Sequence, residues 1–222
     1  NGGGIYNIGT LKLGKGVTIT GNTAKNGGGV YTKGGKVAID NSTITENKAT
    51  SNGGGICAED NSTVTIDGGK VIGNTTTSGN GGGIYAVNST VTATGSDISD
   101  NDAGKYNGGG IGAQNSTLTL KTNTFYRNKS KSGGAISMNA SDATLTGNTI
   151  DHNAVIASGG GIYAYGDADR KDGNNTITLE GNTITYNTSS KGTGGGIHLA
   201  NANQIMTSLN DTIEYNEAAS YG

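Results

Sequence analysis

Three groups of residues in this chain have types and spacings that could do chemistry. Arg127, Asp151 and His152 recur near one another in a repeating register. Such a set could move a proton in polysaccharide cleavage, provided that a second carboxylate or a metal converged on it. Tyr6, Tyr31, Tyr85 and Tyr163 occupy equivalent positions, with Tyr165 two residues on. A column of such rings could stack on the apolar faces of sugars. Asp167, Asp169 and Asp172 fall within six residues of one another. Clustered carboxylates of this kind can hold Ca²⁺, although Asp-x-Asp-x-x-Asp-Gly lacks the longer loop and bidentate Glu of an EF-hand. No other cofactor is expected.

Each group also has a plainer explanation. A tyrosine beside a glycine corner can simply cover it. Arg127 and His152 stand among small polar residues, with no second carboxylate pair in register, as on a solvated face. Their column reads Glu46, Gly73, Asp100, Arg127, His152, Tyr186 and Tyr215. Thr-x-Thr runs such as Thr63 to Thr65, Thr90 to Thr92 and Thr117 to Thr119 could order water, as in the ladders of β-solenoid antifreeze proteins. That face is broken by Lys12, Lys36, Ala38 and Asp142, and threonine is an ordinary outward strand residue.

The elements that must position these residues come from an internal repeat. Gly-Gly-Gly followed by an aliphatic residue opens each unit, at Gly2–Ile5, Gly27–Val30, Gly53–Ile56, Gly81–Ile84, Gly108–Ile111, Gly159–Ile162 and Gly194–Ile197. Gly133-Gly134-Ala135-Ile136 is the one variant. About fourteen residues later comes aliphatic-x-x-Asn, ending at Asn22, Asn47, Asn74, Asn101, Asn128, Asn153, Asn187 and Asn216. Between them lies a short alternating run such as Thr63-Val64-Thr65-Ile66. Units of about 25–28 residues with period-2 alternation and no helical period predict an all-β, right-handed parallel β-helix of about eight coils, three short strands per coil. The aliphatic residues point inward and stack coil upon coil. The glycines supply sharp turns, and each corner asparagine is expected to tolerate a left-handed backbone and to bond along the axis. Residues 1–222 form a single repeat array. An insertion, Gly166 to Gly173, interrupts coil seven, and coil eight is less regular around Asn201 to Asn210.

Composition agrees. The chain has 42 glycines, no proline, 14% charged residues and a net charge of -2. It is neither collagen nor a charge-driven disordered chain, and it shows no electrostatic footprint for nucleic acid or an anionic membrane. Cys57, the single cysteine, excludes an internal disulfide. No apolar run is long enough to span a bilayer. The chain begins at Asn1-Gly2-Gly3-Gly4 without an initiator methionine or signal peptide, and both ends fall inside repeat corners. The expectation is a piece of a longer protein.

Paired Gly-Gly-x-Ile and aliphatic-x-x-Asn motifs resemble the GGAI and FxxN repeats of chlamydial polymorphic membrane proteins and of other adhesin-like β-helix proteins. The nearest matches are Gly133-Gly134-Ala135-Ile136 and Phe125-Tyr126-Arg127-Asn128. The resemblance implies an extracellular or cell-surface, autotransporter-like passenger or stalk acting in adhesion or display. Glycans or host surface components are the implied partners, with no direct membrane insertion by this segment. A non-enzymatic role is the leading expectation. A self-assembling filament with end-to-end self-association, a polysaccharide lyase or hydrolase, and an ice-binding protein are the alternatives.

Overall fold

A computed structural model describes residues 1–166, 175–201 and 204–220. Coil three shows the plan. Its first strand, Ile56–Glu59, starts on the aliphatic residue after the glycines. A second, Thr63–Asp67, and a third, Lys70–Ile72, follow. A fourth strand of two residues, Thr75–Thr76, closes the coil. Stacking the first, second and third strands produces three parallel sheets of eight strands each, in strict sequence order. The three-strand coil is therefore extended by one short element. In coil four that element shrinks to a single bridge at Asp102, which pairs with Thr75 below and Lys129 above and so links the two parts of the fourth sheet.

The alternation reads correctly for the core. In the second sheet Val37, Val64, Val91, Leu118, Ala143 and Ile177 stack in register and are essentially inaccessible to solvent. Phe125 takes the same role in the third sheet between Ile98 and Ile150. Fully burying one such aliphatic side chain stabilises by about 1.5–3 kcal/mol. A lone coil has no neighbour against which to bury it, so stability is shared between coils.

All four corners of the coil turn through left-handed residues. Before the first strand this residue is always glycine. At Gly27 an added Cβ would stand 2.3 Å from the Val30 carbonyl oxygen and 2.8 Å from the Tyr31 Cα. At the corner after the third strand the left-handed residue is Gly21, Glu46, Gly73, Asp100, Arg127, His152, Tyr186 or Tyr215. The sequence placed that conformation on the asparagine. It falls one residue earlier, which leaves the asparagine side chain free to turn inward.

Those asparagines form an unbroken ladder. Each Nδ2 from Asn22 to Asn187 donates to the Oδ1 of the next coil's asparagine at 2.9–3.1 Å. From Asn47 onward each Nδ2 also donates to a carbonyl of the preceding coil, beginning with Ile19. Asn123, Asn148 and Asn182 make a second ladder that ends on Asp211. Ser62, Ser89, Ser116 and Ser141 make a third through their hydroxyls and backbone N–H groups. The buried amides and hydroxyls of these ladders are thus satisfied largely by neighbouring coils, as burial requires.

Candidate functional site

The tyrosine column is not an open platform. Tyr6, Tyr31, Cys57, Tyr85, Gly112, Ser137, Tyr163 and His198 stand in register on the outer face of the first sheet. Tyr31 is only 3% exposed and Tyr85 only 7%. They enclose Cys57 in a small apolar cluster separate from the main core. The left-handed glycine turns pack close against this strand, as the Gly27 geometry shows. Alternation identifies a residue that points away from the core; it does not reveal that a turn folds back over it.

Each hydroxyl in the cluster has a partner. Tyr31 donates to Glu59 at 2.6 Å and Tyr85 donates to Gln114 at 2.9 Å. Tyr6 is exposed, but one ring face lies against Tyr31 at 5.3 Å. Tyr163 and Tyr165 are half-buried and pack on each other at 5.1 Å. The column therefore seals the glycine corner, and a sugar has little free ring face there.

Burial, and then the hydrogen bond to Glu59, pushes the Tyr31 phenol well above its usual value. Burial pushes Tyr85 up to about 12. In the unfolded chain both titrate near 10. Both phenols are neutral in the fold, so their stabilisation is complete below pH ~10 and is lost as the pH rises toward 12. A Tyr31→Phe/Tyr85→Phe variant is expected to flatten this alkaline decline in urea midpoint. An equally steep decline in the variant would assign it to other groups.

Arg127 and His152 adopt separate roles. The Arg127 guanidinium holds Asp100 of the preceding coil with two contacts, Nε at 2.9 Å and Nη2 at 3.0 Å. It also lies 4.7 Å from the Tyr126 ring centre. His152 Nδ1 bonds to Asp151 at 2.8 Å, and Asp151 accepts a second bond from Thr185. The expected neighbours thus engage different partners and do not converge on one point. The Arg127–Asp100 pair is exposed, and such pairs are screened by solvent and contribute little to stability. Arg127→Ala is expected to shift thermal unfolding by no more than about 3 °C. A larger shift would show a structural role beyond the pair.

The same stripe carries a feature that the sequence left unassigned. His152 stacks on Tyr186 at 5.1 Å, and Tyr186 stacks on Tyr215 at 5.1 Å. Tyr126 meets the other side of His152 edge-on. Tyr186 and Tyr215 are 47% and 66% exposed. All three stacked residues occupy the left-handed corner position, so the register brings their rings together. The faces of His152 and Tyr186 are spent within the stack, and only the terminal Tyr215 keeps a ring face without a stacked partner among the described residues.

Asp167, Asp169 and Asp172 lie outside the described residues. Among the described residues no group of three His, Cys, Asp or Glu side chains is arranged to hold a metal ion, and no helix is long and apolar enough to cross a membrane. Asn41 and Asn88 head Asn-x-Thr sequons and are exposed with φ of 45° and 47°. Asn74 heads the same pattern and Asn128 an Asn-x-Ser one, but both are wholly buried in the ladder.

Continuous parallel sheets, inward aliphatic columns and amide ladders together define a β-solenoid. The family model described as the right handed beta helix region matches residues 1–104 and again 68–222, which between them include every residue. The chain belongs to that family. None of the curated proteins and none of the solved structures compared matches it.

Proposed function

We propose that the chain is a non-enzymatic segment of an extracellular, surface-displayed protein, serving as a stiff stalk with adhesive faces. Proteins of this fold include surface proteins and polysaccharide-active enzymes. One observation favours the first role. The residues best suited to proton transfer are engaged in axial contacts: Arg127 on Asp100, and His152 between Tyr126 and Tyr186. The same economy runs through the amide ladders, whose regular polar groups bind the next coil. Antibodies raised against the folded chain should label intact cells of the source, and external protease should remove the label. Labelling that requires permeabilised cells would overturn this reading.

A second reading is favoured by the second sheet. Thr65, Thr92, Thr119, Thr144, Thr178 and Thr207 form a continuous column in register. Thr63, Thr90 and Thr117 run beside it until Asp142. The grid has spacings of ~4.8 Å between coils and ~6.7 Å along the strand. Such a surface suits ordered water. Thermal hysteresis at millimolar protein is its expected signature, and none at that concentration would dispose of it.

A further inference from the structure

Coils four to seven carry a groove that none of these features uses. It has a volume of about 470 Å³ on the outer side of the fourth sheet. Ala154, Val155 and Ile156 provide its apolar surface. Asp102, Gly104 and Lys105 line it from coil four, and Thr188 and Ser190 from coil seven. Ile156 is 47% exposed, and Tyr106, next to Lys105, is also exposed.

The segments after the fourth strand lie side by side. Lys131 N–H donates to the Tyr106 carbonyl at 2.7 Å, Ala157 N–H donates to the Lys131 carbonyl at 2.8 Å, and Lys191 N–H donates to the Ile156 carbonyl at 2.9 Å. Lys105 and Lys129 line the groove, and this order places Lys131 and Lys191 in the segments beside it, all four exposed. None of the four makes an ion pair among the described residues. The one acidic lining residue, Asp102, accepts the Gly104 N–H at 2.7 Å. A cationic, partly apolar groove therefore stands out on a chain whose net charge is -2.

This combination selects an anionic ligand with apolar faces. Backbone capture by strand addition needs an unpaired strand edge. On this flank Ser130 and Val155 lie in a strand ladder, and residues 131, 156, 157 and 191 bond from coil to coil. An extended acidic peptide would thus gain no ladder of hydrogen bonds, and recognition falls to side chains. A polysaccharide with regularly spaced carboxylate or sulfate groups needs no more. The groove is concave, whereas a flat lipid surface would favour a protruding apolar tip.

We propose that this groove binds an anionic polysaccharide. Lys105, Lys129, Lys131 and Lys191 meet its charges, while Ile156 and Tyr106 meet apolar sugar faces. The idea rests on the adhesive reading above and supplies its ligand class. The test is titration of the intact chain with heparin oligosaccharides, polygalacturonate, neutral dextran and phosphatidylserine vesicles. Binding is expected for at least one of the two anionic polysaccharides, not for dextran, and it should weaken with added salt as the exposed charges are screened. Lys129→Gln/Lys131→Gln should lower affinity about tenfold, whereas Lys12→Gln/Lys36→Gln on the second sheet should not. Unchanged circular dichroism would verify folding of both variants. Ile156→Ser provides an independent probe of the apolar surface and should weaken binding at constant charge. Failure of both anionic polysaccharides to bind, indifference to the Lys129/Lys131 change, or binding to vesicles alone would overturn the proposal. Surface labelling of cells would stand in any of those cases, so the two readings fail separately.

Discussion

Asn128→Ala is expected to destabilise the stack by about 3–5 kcal/mol, far more than its small change in volume suggests. Asn128 is fully buried at the centre of the ladder. Its Oδ1 accepts from both the backbone N–H and the Nδ2 of Asn101, each at 3.0 Å. Its Nδ2 donates to the Ile98 carbonyl at 2.8 Å and to Asn153 at 3.0 Å. Alanine leaves the Asn101 N–H without this acceptor and the Ile98 carbonyl without this donor, and each buried unsatisfied group costs about 1–3 kcal/mol. Asn22→Ala, at the half-buried first rung, should cost only about 1 kcal/mol, because no asparagine precedes Asn22 in the ladder. Asn128→Asp provides the sharper control. It keeps an acceptor but buries a carboxylate, so its deficit should shrink as the pH falls and the acid protonates. Urea unfolding followed by circular dichroism measures all three. Equal losses for Asn22→Ala and Asn128→Ala would mean that the ladder is incidental to stability.

Gly109→Ala should be still more damaging, to the point of preventing folding or removing more than ~4 kcal/mol. The new Cβ would stand 2.5 Å from the Gly134 carbonyl oxygen and 2.6 Å from that of Lys129. Both obstacles are backbone, and the Gly134 carbonyl is itself held in place by the Gly110 N–H at 3.0 Å. Neither can yield as a flexible side chain could. The repeat carries its own comparison. The third glycine of the corner becomes Ala135 in coil six, whereas the middle one is glycine in all eight coils, from Gly3 to Gly195. Gly14→Ala is the control: nothing lies within 4 Å of its added Cβ, and its φ is ordinary. It should change stability by less than about 0.5 kcal/mol. A folded, normally stable Gly109→Ala protein would contradict the packing described for this corner.

Much of this architecture could be read from residue order, because each coil repeats the same physical problem. Ile44, Val71, Ile98 and Phe125 announce a buried column by spacing alone. The fourth strand escaped because two residues, such as Lys48 and Ala49, are too short a run to display alternation. The left-handed corner was misplaced by one residue, since asparagine tolerates that conformation and glutamate, arginine and tyrosine ordinarily do not. Burial of Tyr31 and Tyr85 depends on a turn folding back over the strand, which no local pattern encodes. The His152–Tyr186–Tyr215 stack was visible as a stripe of mixed residue types, and only the register showed that the rings touch. The lysine groove was least legible. Lys105, Lys131 and Lys191 belong to different coils, share no motif and meet only through backbone pairing.

The unequal spacing of the ladder has a mechanical consequence. Successive asparagines are separated by 25, 27, 27, 27, 25, 34 and 29 residues. If a chain pulled from its two ends yields one rung at a time, the shorter coils release about 85 Å of slack and the longest about 115 Å, at ~3.4 Å per residue. Under shear the array would then behave as a graded shock absorber, lengthening in discrete steps while the remaining rungs keep their grip.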